Sequence, residues 1–223
     1  MYIIWKSEFD AIEMERHMDI ELSKASIIAL EDHNNSYFNE IGADYYQMGD
    51  YESAIELYRI AAAMGNIQAL ANLGYCYYYG RACEKNFHLA FVYFKMAAGH
   101  KNIDALYKLS TMYEQGKGVE KNKDIADYYL MTAFDALGAI PEETRIEYPS
   151  LMFAVAKKFI ALGEHDGDFA SAYALLKTAQ HGYEMLIAEG SRYYEKMLME
   201  VTDTLRKECF KPYWDEEDEP ILN

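Results

Sequence analysis

Residues with reactive side chains are scattered along this sequence and form no familiar catalytic or metal-binding motif. No histidine belongs to a His-Glu-x-x-His pattern or to a pair at metal-ligand spacing. The six histidines are His17, His33, His88, His100, His165 and His181. No Gly-x-Ser-x-Gly sequence, phosphate-binding loop or dinucleotide fingerprint occurs. We therefore expect a protein that is not an enzyme and that has neither metal nor cofactor; a hydrolase with an unrecognised site is kept as an alternative.

Two local groups of polar or thiol side chains have ordinary structural explanations. Glu84 and His88 lie four residues apart across an expected turn, which favours an exposed pair. The stretch Glu164-His-Asp-Gly-Asp168 could hold a cation, but a turn followed by Asp168 as a helix N-cap is the favoured explanation. The three cysteines are too few for a disulfide framework, and their odd number suits a reducing compartment.

Composition and charge exclude several function classes. The chain has 223 residues, of which 51% are hydrophobic, and 21 Lys and Arg stand against 37 Asp and Glu, giving a net charge of −16. Such a surface repels a phosphate backbone, so we expect no nucleic-acid partner. The N-terminus lacks a basic region, and nowhere do eighteen apolar residues follow one another. These features predict a folded, helical, cytoplasmic protein without a membrane segment.

An internal repeat of 36 residues organises the middle of the chain. The register matches Ala69, Leu73, Tyr77, Gly80, Asn86, Ala90, Tyr93 and Ala97 with Ala105, Leu109, Tyr113, Gly116, Asn122, Ala126, Tyr129 and Ala133. An upstream unit is four residues shorter at its turn, Gly49-Asp50, and a downstream unit begins after about ten extra residues within 138–149. Prolines and a glycine predict a loop there. A fixed period of this length is typical of stacked helical hairpins.

Each repeat is predicted to consist of a first helix, a turn and a second helix. In the second repeat the helices are expected at about 67–79 and 87–98. Gly74 is expected to allow a neighbouring helix to approach closely. Gly80 and Gly116 are predicted to be left-handed caps after the first helix, and Asn86 and Asn122 to cap the second.

These repeats resemble the Sel-one-like repeat family, a branch of the tetratricopeptide-like α-solenoids. The resemblance is carried by Ala-Leu-Ala-Asn-Leu-Gly-Tyr-Cys-Tyr-Tyr-Tyr-Gly80 and by Ala-Leu-Tyr-Lys-Leu-Ser-Thr-Met-Tyr-Glu-Gln-Gly-Lys-Gly-Val119. The shorter unit 35–66 is more similar to a plain tetratricopeptide repeat. The resemblance implies an all-α fold: a right-handed α-solenoid of about four antiparallel helix pairs with terminal capping helices.

The expected organisation follows from these repeats. An N-terminal segment and capping helix (1–34) precede repeats at 35–66, 67–102, 103–149 and 150–182, and a capping helix (183–211) and an acidic tail (212–223) follow them. Residues 19–30 are an amphipathic candidate for the first cap. In the second cap an apolar stripe at Tyr194, Met197, Leu198, Val201 and Leu205 is expected to face the core, with a partner-helix site as the alternative. The tail holds five consecutive acids beside Tyr213 and Trp214.

The tetratricopeptide register predicts which residues line a concave groove on the first helices. Partner-binding residues are predicted at Asn39, Tyr46, Tyr75, Tyr78, Tyr107, Thr111, Glu114, Phe153 and Lys157, with Ala71 and Ile160 on the same face. The chain contains 21 tyrosines, whose rigid amphipathic rings suit interfaces.

These features favour a non-enzymatic module that binds a protein or peptide. The resemblance implies the same, because members of the family act as adaptors and regulators, many of them bacterial. The alternative is a bacterial immunity protein that neutralises a basic toxin domain, since the net charge would steer a basic partner.

Overall fold

The computed structural model describes residues 24–163 and 166–213, and over these residues the chain is all-α, without a β-strand. The helices are α1 (Lys24–Glu31), α2 (Asn35–Met48), α3 (Tyr51–Ala63), α4 (Ile67–Tyr79), α5 (Phe87–Ala98), α6 (Ile103–Gln115), α7 (Lys123–Gly138), α8 (Glu142–Arg145), α9 (Pro149–Leu162), α10 (Asp166–Ala188) and α11 (Glu195–Leu205). Two 3₁₀ segments, Arg192–Tyr194 and Glu208–Tyr213, flank α11. The expected segments 1–23 and 214–223, including most of the acidic tail, lie outside the described residues.

Polar caps and left-handed glycines set the helix boundaries in the repeats. Asn66, Asn102 and Asn122 each accept a hydrogen bond from the backbone N–H three residues on, at the starts of α4, α6 and α7. Gly80 and Gly116 end α4 and α6 with φ of 72° and 69°. The observed α4 and α5 coincide with the helices predicted at 67–79 and 87–98.

The described residues divide between 97 and 98 into two compact units, unit 1 and unit 2, each with its own core. In unit 1, α2 pairs with α3 and α4 with α5. The residues at its centre include Phe38, Ile55, Tyr58, Leu73 and Cys76. A Cβ atom added to Gly74 on α4 would come within 2.7 Å of the Phe94 ring on α5. The predicted close approach of these two helices at Gly74 is therefore confirmed.

In unit 2, α6 pairs with α7 and α9 with α10. The core of this unit includes Leu106, Leu137, Val155, Leu176 and Tyr183. Val201 and Leu205 of α11 are buried against the same core, and Tyr194, Met197 and Leu198 are partly buried there. The stripe therefore faces inward within unit 2.

Three local expectations differ from the structure. The 138–149 segment is not only loop, because Gly138 completes α7 and residues 142–145 form the single turn α8. The second helix of the fourth repeat runs past 182 to Ala188, so the expected boundary at 183 falls inside α10. Asp168 is not an N-cap, because α10 begins at Asp166; its carboxylate lies in the first turn, where the helix dipole favours negative charge. Glu164 and His165, the rest of that acidic stretch, lie outside the described residues.

Candidate partner-binding face

The predicted site residues occupy three recurring positions on the first helices of the repeats. One position is occupied by Asn39, Ala71, Tyr107 and Phe153, the next by Tyr75, Thr111 and Lys157, and the third by Tyr46, Tyr78, Glu114 and Ile160. Unit 1 contributes α2 and α4, and unit 2 contributes α6 and α9.

In unit 1 an amide contact joins the first helices of two successive repeats. Asn72 on α4 donates from Nδ2 to Oδ1 of the predicted residue Asn39 on α2, at 3.0 Å. Gln68, one turn before Asn72 on α4, donates in turn to Asn72 at 3.5 Å. Both asparagines are half-buried. The register had not singled out Asn72, because its helical position lies one residue away from the predicted face.

Tyr46 belongs to a small aromatic and cationic group at the end of α2. Its ring meets the Tyr51 ring edge-on, with centroids 4.9 Å apart, and the Arg81 guanidinium lies 4.6 Å from the centre of the Tyr51 ring. Burial raises the pKa of Tyr46, although a hydrogen bond from Arg81 acts in the opposite direction. Tyr46 is therefore a neutral, half-buried ring whose hydroxyl is already engaged.

Two of the residues predicted on α4 are buried rather than accessible. Tyr78 packs edge-on against Phe87, with centroids 5.0 Å apart, and Ala71 has no exposed surface. Tyr78 is buried because the chain folds back through the turn 80–86, so that Phe87, the first residue of α5, covers the Tyr78 ring. Tyr75 is half-buried, edge-on to Phe94 and stacked with Tyr79. Tyr79, which the register did not predict, is the more exposed ring.

In unit 2 the predicted residues on α6 differ in their exposure and in whether their polar groups are free to contact a partner. Glu114 is exposed and Tyr107 is half-buried. Burial raises the pKa of Tyr107, and Tyr183, Glu114 and Tyr193 add to the effect. The hydroxyl of Thr111 donates to the Lys108 carbonyl at 2.8 Å, so it is turned back on its own helix.

On α9 the ring of Phe153 is buried, whereas Lys157 is exposed. The Lys157 ammonium lies 4.2 Å from the centre of the Phe153 ring and 3.6 Å from the Glu200 carboxylate of α11. The buried Phe153 ring therefore packs beneath Lys157, and on α9 the Lys157 ammonium is the group that a partner can contact.

Tyr183, Tyr193 and Tyr194 form a tyrosine cluster beside Tyr107 of α6. The repeat register did not predict these three residues as part of the site. Tyr183 and Tyr194 are stacked with ring centroids 5.6 Å apart, and Tyr193 meets Tyr194 edge-on at 5.1 Å. The Tyr183 hydroxyl lies 3.1 Å from Ser150 Oγ, and burial raises the pKa of Tyr183 to about 12. Tyr193 is 70% exposed. The high tyrosine content and the place of Tyr194 in the predicted stripe were the sequence signals for this cluster, and the register could not place Tyr193 and Tyr194 because they lie beyond the last repeat.

The thiols and charged side chains of the described residues form no disulfide and no metal-binding group. Cys76, Cys83 and Cys209 are free thiols, and burial raises the pKa of Cys76 to about 12. Within residues 24–163 and 166–213, no group of three or more His, Cys, Asp or Glu side chains could hold a metal ion. No helix in that part of the chain is long and apolar enough to cross a membrane.

Comparison with known proteins matches the repeat region. The family model "Sel1 repeat" matches residues 67–102 and 103–130, and the model "Tetratricopeptide repeat" matches residues 36–66. The ERAD-associated E3 ubiquitin-protein ligase component HRD3 of Candida glabrata is 49% identical over 49 residues, which are 22% of this chain and 6% of that protein. The chain therefore covers only a small part of this curated relative.

Two solved structures are also similar. The Sel1 repeat protein of Oxalobacter formigenes is 29% identical, with a TM-score of 0.44 over 48% of this chain and 84% of that one. The protective antigen c5321 of uropathogenic Escherichia coli, described as an SLR fold, is 18% identical, with a TM-score of 0.47 over 82% of this chain and 49% of that one.

The family matches confirm the resemblance read from the sequence. Repeats of this family generally serve as protein–protein interaction scaffolds. Over the described residues the fold is all-α with paired helices, as predicted from the sequence. Residues 67–102 and 103–130 match the Sel1 repeat, and these two matches follow a match to a tetratricopeptide repeat at 36–66.

Proposed function

We propose that this chain is a non-enzymatic interaction module that binds a polypeptide partner on the first-helix faces of its units. The observation that carries the proposal is the tyrosine cluster of unit 2, where Tyr193 is 70% exposed beside the half-buried Tyr107 and Tyr194. Tyrosine rings supply a large rigid contact area and lose little conformational entropy on binding.

The groups around this cluster indicate the charge of the partner. Glu114 is exposed, and Asp104 lies close enough to Tyr194 to raise the pKa of that phenol, after burial and Tyr193. Glu200 is also exposed but is paired with Lys157. With a net charge of −16 over the chain, a basic partner would be attracted before contact. The same charge favours, as a second candidate, an immunity protein that neutralises a basic toxin domain.

A matched pair of tyrosine variants tests the proposed face. A partner recovered from the native host and identified by mass spectrometry is purified, and its affinity for each variant is measured by calorimetry. Tyr193→Ala is expected to weaken binding about 10- to 30-fold, which corresponds to roughly 2 kcal/mol. The control is Tyr128→Ala, because Tyr128 on α7 is 65% exposed and meets Tyr129 edge-on much as Tyr193 meets Tyr194.

The outcomes separate the candidates. Unchanged affinity for Tyr193→Ala, or an equal loss for Tyr128→Ala, would place the site elsewhere.

A second pair of variants, Glu114→Lys and Glu120→Lys, tests whether the negative charge beside the tyrosine cluster attracts the partner. Both glutamates are exposed, and only Glu114→Lys is expected to slow association. Association rates that fall steeply between low and high salt would support a basic partner, and a flat dependence would exclude charge steering. A recovered partner that is itself a toxin whose activity the chain abolishes would favour the immunity function over an adaptor.

A further inference from the structure

The third repeat carries an insertion that the second repeat lacks. Four residues, 99–102, connect α5 with α6, whereas ten, 139–148, connect α7 with α9. The inserted segment contains the single turn α8, and it is held by Arg145. The guanidinium donates to the Gly138 carbonyl at 3.0 Å and to the Ile140 carbonyl at 3.2 Å. The donors of Arg145 are thus used to fold the insertion back onto the end of α7.

This folded insertion forms one wall of a cleft within unit 2. The cleft has a volume of about 420 Å³ and is bounded by α7, α8, α9 and α10. Its apolar lining consists of Phe134, Leu137, Met152 and Leu175. Leu137 and Met152 are buried, so they form a floor, and Phe134 and Leu175 are half-buried at the sides. The volume lies at the lower end of the range of ligand pockets, which suits one or two side chains.

Two carboxylates stand at the rim of this apolar cleft. Asp135 on α7 and Glu142 on α8 both line it and are exposed. Within the described residues neither carboxylate makes an ion pair or a side-chain hydrogen bond, since the three ion pairs there involve other acids. The hydroxyl of Thr178, a further lining residue, donates to the Ala174 carbonyl and is already engaged. Arg145 also lines the cleft, but its guanidinium is bound to the carbonyls of Gly138 and Ile140 and pairs with neither carboxylate. The two carboxylates therefore outweigh this one positive charge and offer negative acceptors above an apolar floor.

We propose that this insertion cleft is a second docking site, which takes a polypeptide segment whose large apolar side chain is followed by an arginine. The apolar side chain would lie over Leu137 and Met152, where it leaves water. The guanidinium would then lie between Asp135 and Glu142, since arginine forms strong paired hydrogen bonds with carboxylates. Apart from Met152 of α9, the cleft is lined by α7, α8 and α10, and none of its lining residues belongs to the face of the proposed function, so the proposal does not depend on that function.

A titration with two short peptides on the full chain tests the site. Acetyl-Leu-Arg-amide and acetyl-Leu-Glu-amide are added in turn to protein labelled at Leu, Met and Ala methyl groups, and the methyl shifts are followed by NMR. We expect the arginine peptide to give saturable shifts at Leu137, Met152 and Ala174 with a millimolar dissociation constant. The glutamate peptide is expected to bind at least fivefold more weakly, because it meets like charge.

Two sets of variants establish where the peptide binds. Asp135→Asn combined with Glu142→Gln changes exposed carboxylates only and is expected to weaken the arginine peptide at least fivefold. Ala174→Trp fills the cleft from α10 and is expected to abolish saturation. Its control is Ala188→Trp, which changes an exposed alanine at the far end of the same helix. All variants are first checked for an unchanged melting temperature.

Several results would overturn the proposal. The cleft is not an arginine-directed site if the arginine peptide gives no saturable shifts, or if both peptides shift the methyl groups equally. Saturable binding that Ala188→Trp reduces as much as Ala174→Trp would place the peptide elsewhere on the chain. If the double variant Asp135→Asn and Glu142→Gln binds the arginine peptide as tightly as the wild type does, the carboxylates do not bind the arginine and the proposed occupant is wrong.

Discussion

At the scale of single residues, small side chains decide how closely the helices of a repeat approach. In unit 1 a Cβ atom on Gly42 would lie 2.8 Å from the Tyr58 ring, and one on Gly74 would lie 2.7 Å from the Phe94 ring. Both rings are buried, so neither can swing away into solvent. The same glycine–aromatic contact therefore recurs in two successive repeats, and it fixes the distance between the paired helices.

Replacing Gly74 by leucine is expected to destabilise the protein by about 1–3 kcal/mol or more, because the fully buried Phe94 cannot make room. The free energy of unfolding is measured by urea titration followed by circular dichroism. Gly138→Leu is the control, since a Cβ atom there meets nothing within 4 Å at the exposed end of α7, and no loss is expected. Equal stability of the two variants would contradict the helix contact.

Lys108 makes the stability of unit 2 depend on pH. Burial, together with Lys117, lowers the pKa of Lys108 to about 8, while Asp104 acts in the opposite direction. An unfolded lysine titrates near pH 10.4, so between these values the unfolded chain holds more protons than the folded chain. Stability contributed by this group therefore rises with pH between about 8 and 10.4.

The variant Lys108→Met isolates this contribution. From pH 7 to 9.5 the wild type is expected to gain roughly 1–2 kcal/mol relative to the variant, a figure reduced for the partial contact of Lys108 with water. Unfolding of both proteins is measured across this range, and the tyrosines and cysteines that also titrate there are common to both proteins, so their contributions cancel in the difference. A difference that stays constant with pH would show that Lys108 remains ordinarily charged in the folded protein.

At the scale of elements, equivalent contacts recur in each repeat. Tyr77 stacks on Tyr93 in unit 1 with centroids 5.5 Å apart, and Tyr113 stacks on Tyr129 in unit 2 at 5.7 Å. Both pairs join a first helix to the second helix of its repeat. The residue that begins the second helix then decides accessibility at the third site position, since Phe87 covers Tyr78, whereas Lys123 begins the next second helix and Glu114 remains exposed.

The helix α11 is expected to stabilise unit 2 by covering its core. Leu205→Ala should cost about 2–5 kcal/mol, because Leu205 is only 3% exposed and its loss leaves a cavity. Met199→Ala on the same helix is the control, since Met199 is 66% exposed and little change is expected. Thermal unfolding of both variants measures the effect. If Leu205→Ala leaves stability intact, the apolar stripe would instead be open to a partner helix.

At the scale of the whole molecule, negative charge is the dominant long-range property. The net charge is −16, and the described residues contain three ion pairs, two of them with both side chains near or above one-third exposed. Exposed pairs contribute little to stability, so the charge is mostly uncompensated. Repulsion between like charges disfavours a compact state and is weakened by salt.

We therefore expect the melting temperature at pH 7.5 to rise when KCl increases from about 10 mM to 300 mM, where the Debye length falls from roughly 30 Å to below 10 Å. Thermal unfolding followed by circular dichroism measures the change. Sucrose at equal osmolality controls for effects of solute on the solvent. A melting temperature that falls with KCl would mean that attractive pairs outweigh the repulsion.

The sequence by itself determined the repeating helices, their caps and the family of the central repeats. These features rest on local signals: asparagine three residues before a capped N–H, glycine where φ is positive, and small residues at a fixed period. Because each such signal acts within one hairpin, the 36-residue register predicts it without knowledge of the remaining chain.

Only the tertiary structure decided which surfaces are accessible. The register could not show that Phe87 covers Tyr78, because that contact depends on the path of a seven-residue turn. It could not bring Tyr193 next to Tyr183 and Tyr194, because Tyr193 and Tyr194 lie beyond the last repeat. The insertion cleft likewise joins α7 with α10, about forty residues apart. Burial is a property of neighbours in space, and a period along the chain carries no information about neighbours that come from outside the repeat.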